Sequence, residues 1–157
     1  MKPVNQTSFG TGQGNCFSAC IASILEIAVA DVPNFCHQDA DHDGSTWLER
    51  TAAWLQERGW GLVHVTWKGG CDLVLPMNCW LICLGPREGT DEEHAVVGRA
   101  TAGRRSEGEA DGKKVWNWEY SIEWVHDPNP RVRWLTNIEA LIALVPGGNP
   151  ASLFGTE

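Results

Sequence analysis

The fold and the chemistry are decided by the stretch Gln13-Gly14-Asn15-Cys16-Phe17-Ser18-Ala19-Cys20-Ile21-Ala22-Ser23-Ile24-Leu25-Glu26. Apolar side chains recur at three- and four-residue spacing, which predicts a helix with one buried face over about residues 15–29. Gly14 and Asn15 are typical stop and cap residues and place the helix start beside Cys16. There the helix dipole and the unpaired N–H groups of the first turn favour the nucleophilic thiolate. Cys16 is the candidate nucleophile, whereas Cys20 lies on the apolar face and is expected in the core.

Composition indicates one globular domain over residues 1–157, with 43% hydrophobic and 20% charged residues. The formal net charge of −8 argues against a nucleic-acid backbone or an anionic membrane as partner. The first fourteen residues are polar, and no apolar run approaches the length of a membrane span. Six cysteines without a secretory leader indicate reduced thiols, so a cytoplasmic protein is expected.

Outward from the first helix, the pattern predicts an α+β arrangement with a mainly antiparallel sheet. Ser45 or Thr46 can cap a second helix that runs through Arg58 and is ended by Gly59. Alternating or continuous apolar runs predict strands over residues 60–67, 79–84 (a central strand), 93–99, 116–124 and 138–145, with a short edge strand at 73–75. Residues 101–113 have the composition of an exposed hairpin tip, and the tail after Pro146 reads as loop.

Three residue types needed by a cysteine hydrolase fall at ends of predicted elements. Cys16 opens a helix, His94 opens a strand, and Asp127 follows a strand. In such an enzyme the imidazole takes the thiol proton and later gives it to the leaving group, while a third group fixes the tautomer. The oxyanion needs donors, commonly the nucleophile's own N–H and a side-chain amide. Gln6 or Gln13 can supply that amide.

A second histidine competes for the role of base. His126 adjoins Asp127, and neighbours along an extended chain point to opposite faces, so these two side chains do not meet easily. His94 is therefore the preferred base. His126 remains the alternative.

Metal sites are a further interpretation of the cysteines and acidic residues. The acidic loop at residues 39–44 resembles the first half of an EF-hand loop, but Arg50 stands where the bidentate glutamate belongs, so a solvated turn is favoured. Two cysteine pairs have spacings that invite zinc: Cys16 with Cys20, and Cys79 with Cys83. Both pairs lie in apolar periodic runs rather than on tight turns, which favours core packing. No metal and no cofactor are predicted.

The motifs also resemble those of papain-like cysteine peptidases, and most of all the bacteriocin-processing double-glycine peptidases. The resemblance rests on Gln6, on Cys16-Phe-Ser-Ala-Cys20, on His94-Ala-Val-Val and on Asp127-Pro128. Small uncharacterised bacterial and phage proteins share the Gln-Thr…Gly-Asn-Cys-Phe-x-Ala-Cys opening. The resemblance implies a papain-like fold in which these residues act as oxyanion donor, nucleophile, base and orienting acid. Gln6 stands further from Cys16 than in those peptidases, which keeps Gln13 open as the donor, and no transporter segment accompanies the chain.

The expected function is hydrolysis of a peptide, isopeptide or other amide bond in a peptide or protein substrate, through a thioester on Cys16. The same residues serve a transamidase or deamidase when an amine or water meets a glutamine thioester. A papain-like binding protein without turnover is the remaining alternative. The sequence leaves the substrate and the oligomeric state open.

Overall fold

The computed structural model describes residues 1–37, 44–66, 78–110, 113–131 and 134–147, with the backbone alone over 102–110 and 113–120. Two α-helices and five strands occur in this part of the chain: α1 (Cys16–Leu25), α2 (Trp47–Gln56), β1 (Trp60–Thr66), β2 (Trp80–Pro86), β3 (Glu93–Ala110), β4 (Lys113–His126) and β5 (Ala140–Pro146). A 3₁₀ turn, Val29–Asp31, follows α1. No helix within the described ranges is long and apolar enough to cross a membrane.

The five strands form one antiparallel sheet in the order β1-β5-β2-β3-β4. Helix α1 packs on β3 and β2, and α2 packs beside β1. The expected α+β arrangement is confirmed, and so is the central place of the strand that begins near residue 79. Because β5 pairs with both β1 and β2, the last strand in the described part of the chain lies inside the sheet.

Alternation along the central strands gives the sheet two apolar faces. Ile82 and Val97 belong to the cluster under the helices, together with Phe17, Ile21 and Leu55. Neighbouring residues along the strands point to the opposite face and form a second cluster there. Its members are Leu81, Cys83, Val96 and Leu141, with Leu135 packed beside them. Burial on both faces explains why the segment at residues 79–84 is continuously apolar.

Helix α1 ends at Leu25, and the prediction that it continues to about residue 29 is wrong. Glu26 adopts the left-handed conformation, with φ of 59°, and its N–H donates to the carbonyl of Ala22. The N–H of Ile27 donates to the same carbonyl. A left-handed residue at this point turns the chain out of the helix, although no glycine marks the position.

Helix α2 begins where the sequence predicts, and of the two candidate caps Thr46 occupies the N-cap position, in a capping box with Glu49. Thr46 Oγ1 accepts from the N–H of Glu49 at 3.2 Å, and the carboxylate of Glu49 accepts from the N–H of Thr46 at 2.7 Å. This reciprocal pair satisfies two donors at the helix start. The helix ends at Gln56, two residues before Arg58, and Gly59 follows with φ of 74°.

The long hairpin of β3 and β4 departs from the prediction. Residues 101–113 were expected to form its exposed tip, but β3 continues to Ala110, which pairs with Lys113. The expectation is wrong because continuous backbone pairing with β4 outweighs the polar, glycine-rich composition of the segment. Three further predictions, the edge strand at 73–75, the acidic turn at 39–43 and the tail after residue 147, lie outside the described residues.

Gly85 marks a close approach that a side chain would disrupt. It pairs with His94 across β2 and β3, and a Cβ atom at Gly85 would lie 2.2 Å from the carbonyl oxygen of Asn137. We expect Gly85→Ala to lower the free energy of unfolding by about 1–3 kcal/mol, because backbone rather than a movable side chain must yield. Urea denaturation measures this loss.

Gly61→Ala is the matched control for Gly85→Ala. Its Cβ would meet a methyl carbon of Val145 at 3.0 Å, which a rotamer change can relieve. The Gly61 variant should therefore lose less stability than the Gly85 variant. Equal urea midpoints for the two variants would contradict the tight contact at Gly85.

Candidate active site

The topology brings three separate element ends to one place. Cys16 is the first residue of α1, and α1 packs on β3. His94 is the second residue of β3, and Asp127 directly follows β4. Since β4 runs antiparallel to β3, with His126 opposite Val97, the end of β4 lies beside the start of β3. The three side chains predicted from the sequence therefore meet.

His94 and Asp127 form a buried pair. Asp127 Oδ1 accepts from His94 Nε2 at 2.9 Å, and the same oxygen accepts from the N–H of Asn129 at 2.7 Å. The two residues are 4% and 5% exposed, so water competes little for these bonds. A carboxylate accepts only, so the proton on Nε2 is fixed and the other ring nitrogen, Nδ1, is left for Cys16.

Cys16 completes the row, with a half-buried thiol in hydrogen-bond contact with His94. Burial of the imidazole disfavours its charged form and lowers its pKa, but the hydrogen bond to Asp127 and the hydrogen bond and charge of Cys16 outweigh burial. The pKa of His94 is raised from its ordinary value near 6.5 to about 9. This direction favours the protonated form of His94 at neutral pH, and an imidazolium beside a nucleophile stabilises negative charge that develops there.

Gln6 lies on the wall of the same cavity as Cys16 and His94. Its side chain is 8% exposed, its Nε2 donates to the carbonyl of Ser8 at 2.9 Å, and its backbone N–H donates to the carbonyl of Pro128 at 2.9 Å. One proton of the Nε2 group is used by Ser8, and the other is left for a further acceptor. The contact with Pro128 ties the N-terminal arm to the residue that follows Asp127.

Gln13, the alternative amide, lies elsewhere. Its side chain is exposed and is not among the described residues that line the cavity. The backbone N–H of Gln13 donates to Gly10, and its carbonyl accepts from Asn34 Nδ2 at 3.0 Å. Of the two glutamines left open by the sequence, Gln6 is the one that lines the cavity beside Cys16.

Asn15 occupies the N-cap position of α1, where the sequence places it, but the expectation that its side chain caps the helix is wrong. Its side chain forms no capping bond with α1, all of which lies in the described part of the chain. Instead Oδ1 accepts from the N–H groups of Thr7 and Ser8, each at 3.0 Å, and Nδ2 donates to Thr7 Oγ1 at 3.0 Å. Sequence reasoning identified the residue but assigned its bonds locally, because the partners come from the folded arm.

The cavity beside Cys16 has a volume of about 960 Å³, at the upper end of the usual range for small-ligand pockets. Phe17, Phe35 and Trp47 form an aromatic wall, while Gly10 and Gly12 line another part with backbone. The rings of Phe17 and Trp47 meet edge to face at 5.1 Å. An open cavity of this size can admit several residues of an extended chain next to the thiol.

His126 has a structural role and is not part of the arrangement of Cys16, His94 and Asp127. Its Nε2 donates to the carbonyl of Val4 at 2.9 Å and so anchors the N-terminal arm to the end of β4. As predicted from strand alternation, His126 does not share a site with its neighbour Asp127 in the way that His94 does.

The other described cysteines are free thiols. Cys20 and Cys83 are fully buried, as the apolar periodicity predicts. No group of three or more histidine, cysteine or acidic side chains within the described ranges is placed to hold a metal ion.

Comparison with known proteins gives no independent information about this site. The chain matches no family model, no curated protein and no solved structure in searches of all three. A function for the chain therefore depends on the geometry around Cys16.

Proposed function

We propose that this chain is a papain-like cysteine hydrolase that cleaves a peptide, isopeptide or other amide bond. The observation that carries the proposal is the row Cys16–His94–Asp127, in which one imidazole contacts the thiol and, through Nε2, the buried carboxylate at 2.9 Å. A nucleophile, a base and an orienting acid in hydrogen-bond sequence are the parts that covalent acyl transfer needs.

In the first half of the reaction, the Cys16 thiolate attacks the carbonyl carbon of the substrate, and the carbonyl oxygen becomes an oxyanion. The N–H of Cys16 and the free proton of Gln6 Nε2 stabilise that charge. His94 gives its Nδ1 proton to the leaving amine as the C–N bond breaks, which leaves a thioester on Cys16. Asp127 keeps the imidazole oriented throughout.

In the second half, water attacks the thioester. His94, now neutral, takes a proton from the attacking water and keeps it, while the C–S bond breaks and its electron pair stays on the sulfur of Cys16. The carboxylic product leaves, and Cys16 and His94 are ready for the next turnover. No cofactor enters these steps. A peptide or protein substrate fits the size of the cavity and its aromatic wall.

The architecture also supports the papain-like assignment. The nucleophile opens a helix that packs against an antiparallel sheet, and the sheet supplies both the base and the acid. The order of the residues along the chain, cysteine before histidine before aspartate, is the order that the resemblance implies.

The test is competitive alkylation. At limiting iodoacetamide and pH 6–7, with labelled positions located by peptide mass spectrometry, we expect Cys16 to label at least tenfold ahead of the other cysteines. Burial raises the pKa of Cys20, Cys79 and Cys83, the last to about 12. Desolvation of the Cys36 thiol, aided by the charge of Cys16 and opposed by Arg50, raises its pKa to about 11, although the residue as a whole is exposed.

Two histidine variants decide whether the reactivity comes from the proposed row. His94→Ala should remove the advantage of Cys16, because the proton acceptor is gone. His126→Ala is the matched control and should keep it, since His126 contacts Val4 rather than the thiol. Even labelling of the cysteines in the unmodified protein, or an unchanged preference in His94→Ala, would overturn the proposal.

A further inference from the structure

We propose that Asn15 is a positioning residue that builds the oxyanion hole by aiming the Gln6 amide. This inference rests on the proposed function, because it concerns how the same site stabilises its transition state. The resemblance described above assigns no role to Asn15, and its side chain bonds to the N-terminal arm rather than to the helix it precedes.

The side chain of Asn15 acts as a clamp that holds residues 7–8 of the N-terminal arm in place. Its carboxamide is 9% exposed and makes three hydrogen bonds at 3.0 Å, two through Oδ1 and one through Nδ2. Adjacent backbone N–H groups are held by one oxygen, so the peptide planes of Thr7 and Ser8 are both fixed relative to Asn15. Cys16 is the next residue along the chain, and the clamp therefore ties the arm directly to the nucleophile.

Asn15 acts on the orientation of Gln6 through the backbone of Ser8. Asn15 holds the N–H of Ser8, and the carbonyl of Ser8 accepts from Gln6 Nε2 at 2.9 Å. Gln6 Oε1 is buried, and no donor reaches it among the described residues. The orientation of the Gln6 amide thus depends on its bond to Ser8, and the place of Ser8 depends on Asn15.

The direction of the Asn15 side chain has a second consequence. An asparagine that capped α1 would use an N–H group of the first turn. With its carboxamide turned to the arm, Asn15 leaves the first-turn donors and the positive end of the helix dipole for negative charge at Cys16. One side chain thereby serves both halves of the oxyanion hole.

Two small reagents separate an oxyanion-hole defect from general damage. Acylation of Cys16 by p-nitrophenyl acetate passes through a tetrahedral oxyanion, and release of p-nitrophenolate reports its rate. Alkylation of Cys16 by iodoacetamide displaces iodide at carbon and forms no oxyanion. The ratio of the two rate constants therefore reports the oxyanion hole, while changes in thiolate content or folding move both rates together.

We expect Asn15→Ala to lower the acylation-to-alkylation ratio about 10- to 100-fold. Asn15→Ser covers the case in which the alanine variant folds poorly. Serine caps helices well, so α1 keeps its stability, but its hydroxyl is too short to bridge two N–H groups of the arm. The serine variant should show the same drop in the ratio.

The link through Gln6 is tested by a double-mutant cycle. Gln6→Ala should lower the ratio by itself, and Asn15→Ala should add little in the Gln6→Ala background, because its target is gone. Asn34→Ala is the matched control, since Asn34 clamps the same loop at Gln13 instead of Ser8. That variant should leave the ratio unchanged.

The outcomes distinguish this inference from the proposed function. An unmodified protein whose Cys16 is neither acylated nor preferentially alkylated overturns the proposed function itself. A reactive Cys16 with an unchanged ratio in the Asn15 variants, a parallel fall of both rates, or additive effects of Asn15→Ala and Gln6→Ala overturns the positioning role alone.

Discussion

Asp127→Ala is expected to slow the acylation of Cys16 by p-nitrophenyl acetate about 10²- to 10³-fold. Asp127 is the buried acceptor for His94 Nε2, and its negative charge helps to raise the pKa of the imidazole against the opposing effect of burial. Without the carboxylate, the ring loses its fixed tautomer and part of its basicity. Stopped-flow measurement of p-nitrophenolate release, scaled to titrated Cys16, gives the rate.

Asp127→Asn separates position from charge. Its amide oxygen can still accept from His94 Nε2 and from the N–H of Asn129, so the ring stays in place while the negative charge is lost. The loss in rate should be about tenfold, well short of that in the alanine variant.

Glu123→Gln is the control for Asp127→Ala, since Glu123 is an exposed carboxylate on β4 that pairs with Arg99, and neither residue lines the cavity beside Cys16. It should acylate at the unmodified rate. A folded Asp127→Ala protein with the unmodified rate would contradict the role of Asp127.

Signals that lie within a few residues were readable from the sequence. A capping residue at Ser45 or Thr46 predicted the start of α2, and the apolar run at residues 79–84 predicted a central strand. These patterns depend on bonds and periodicities inside one segment. Cys16, His94 and Asp127 were found for the same reason, because each has a suitable side chain at a recognisable element end.

What the sequence did not determine depends on contacts between distant segments. Nothing local to Gln6 or Gln13 says which reaches Cys16, since that follows from the bonds between Asn15 and the arm at residues 7–8. The glycines and charged residues over 101–113 predicted an exposed hairpin tip, but pairing between β3 and β4 extends the strands through most of this segment. The left-handed Glu26 carries no glycine signal. In each case a tertiary contact or a backbone conformation overrides the residue preference.

The stability of the protein is expected to fall between pH 6 and pH 8 in a manner that depends on His94. The pKa of this imidazole is raised to about 9 in the folded chain, through its bonds to Asp127 and Cys16 and despite burial. In the unfolded chain it returns to its ordinary value near 6.5. The folded state therefore keeps a proton that the unfolded state releases as the pH rises.

The sign and the size follow from this difference. A raised histidine pKa stabilises the fold fully below pH 6.5, and the stabilisation is lost as the pH passes through about 9. Relative to His94→Ala, the unmodified protein should lose about 2 kcal/mol of unfolding free energy between pH 6 and pH 8. Urea denaturation of both proteins at several pH values measures the difference. The window ends below the ordinary thiol pKa of about 8.5, so the buried cysteines contribute little within it.

Cys16→Ala tests whether the thiol is the partner that holds this proton. The variant retains Asp127 but lacks the hydrogen bond and the charge of Cys16, so the pKa of His94 should fall and the pH dependence should shrink. Cys79→Ala, at a half-buried cysteine just before β2, should leave the dependence unchanged. Parallel stability curves for the unmodified protein and His94→Ala would show that no proton is held there. Because the same proton is the one that His94 must give to a leaving amine, a pH dependence that is reduced in Cys16→Ala and kept in Cys79→Ala would place this proton between His94 and Cys16 without any knowledge of the substrate.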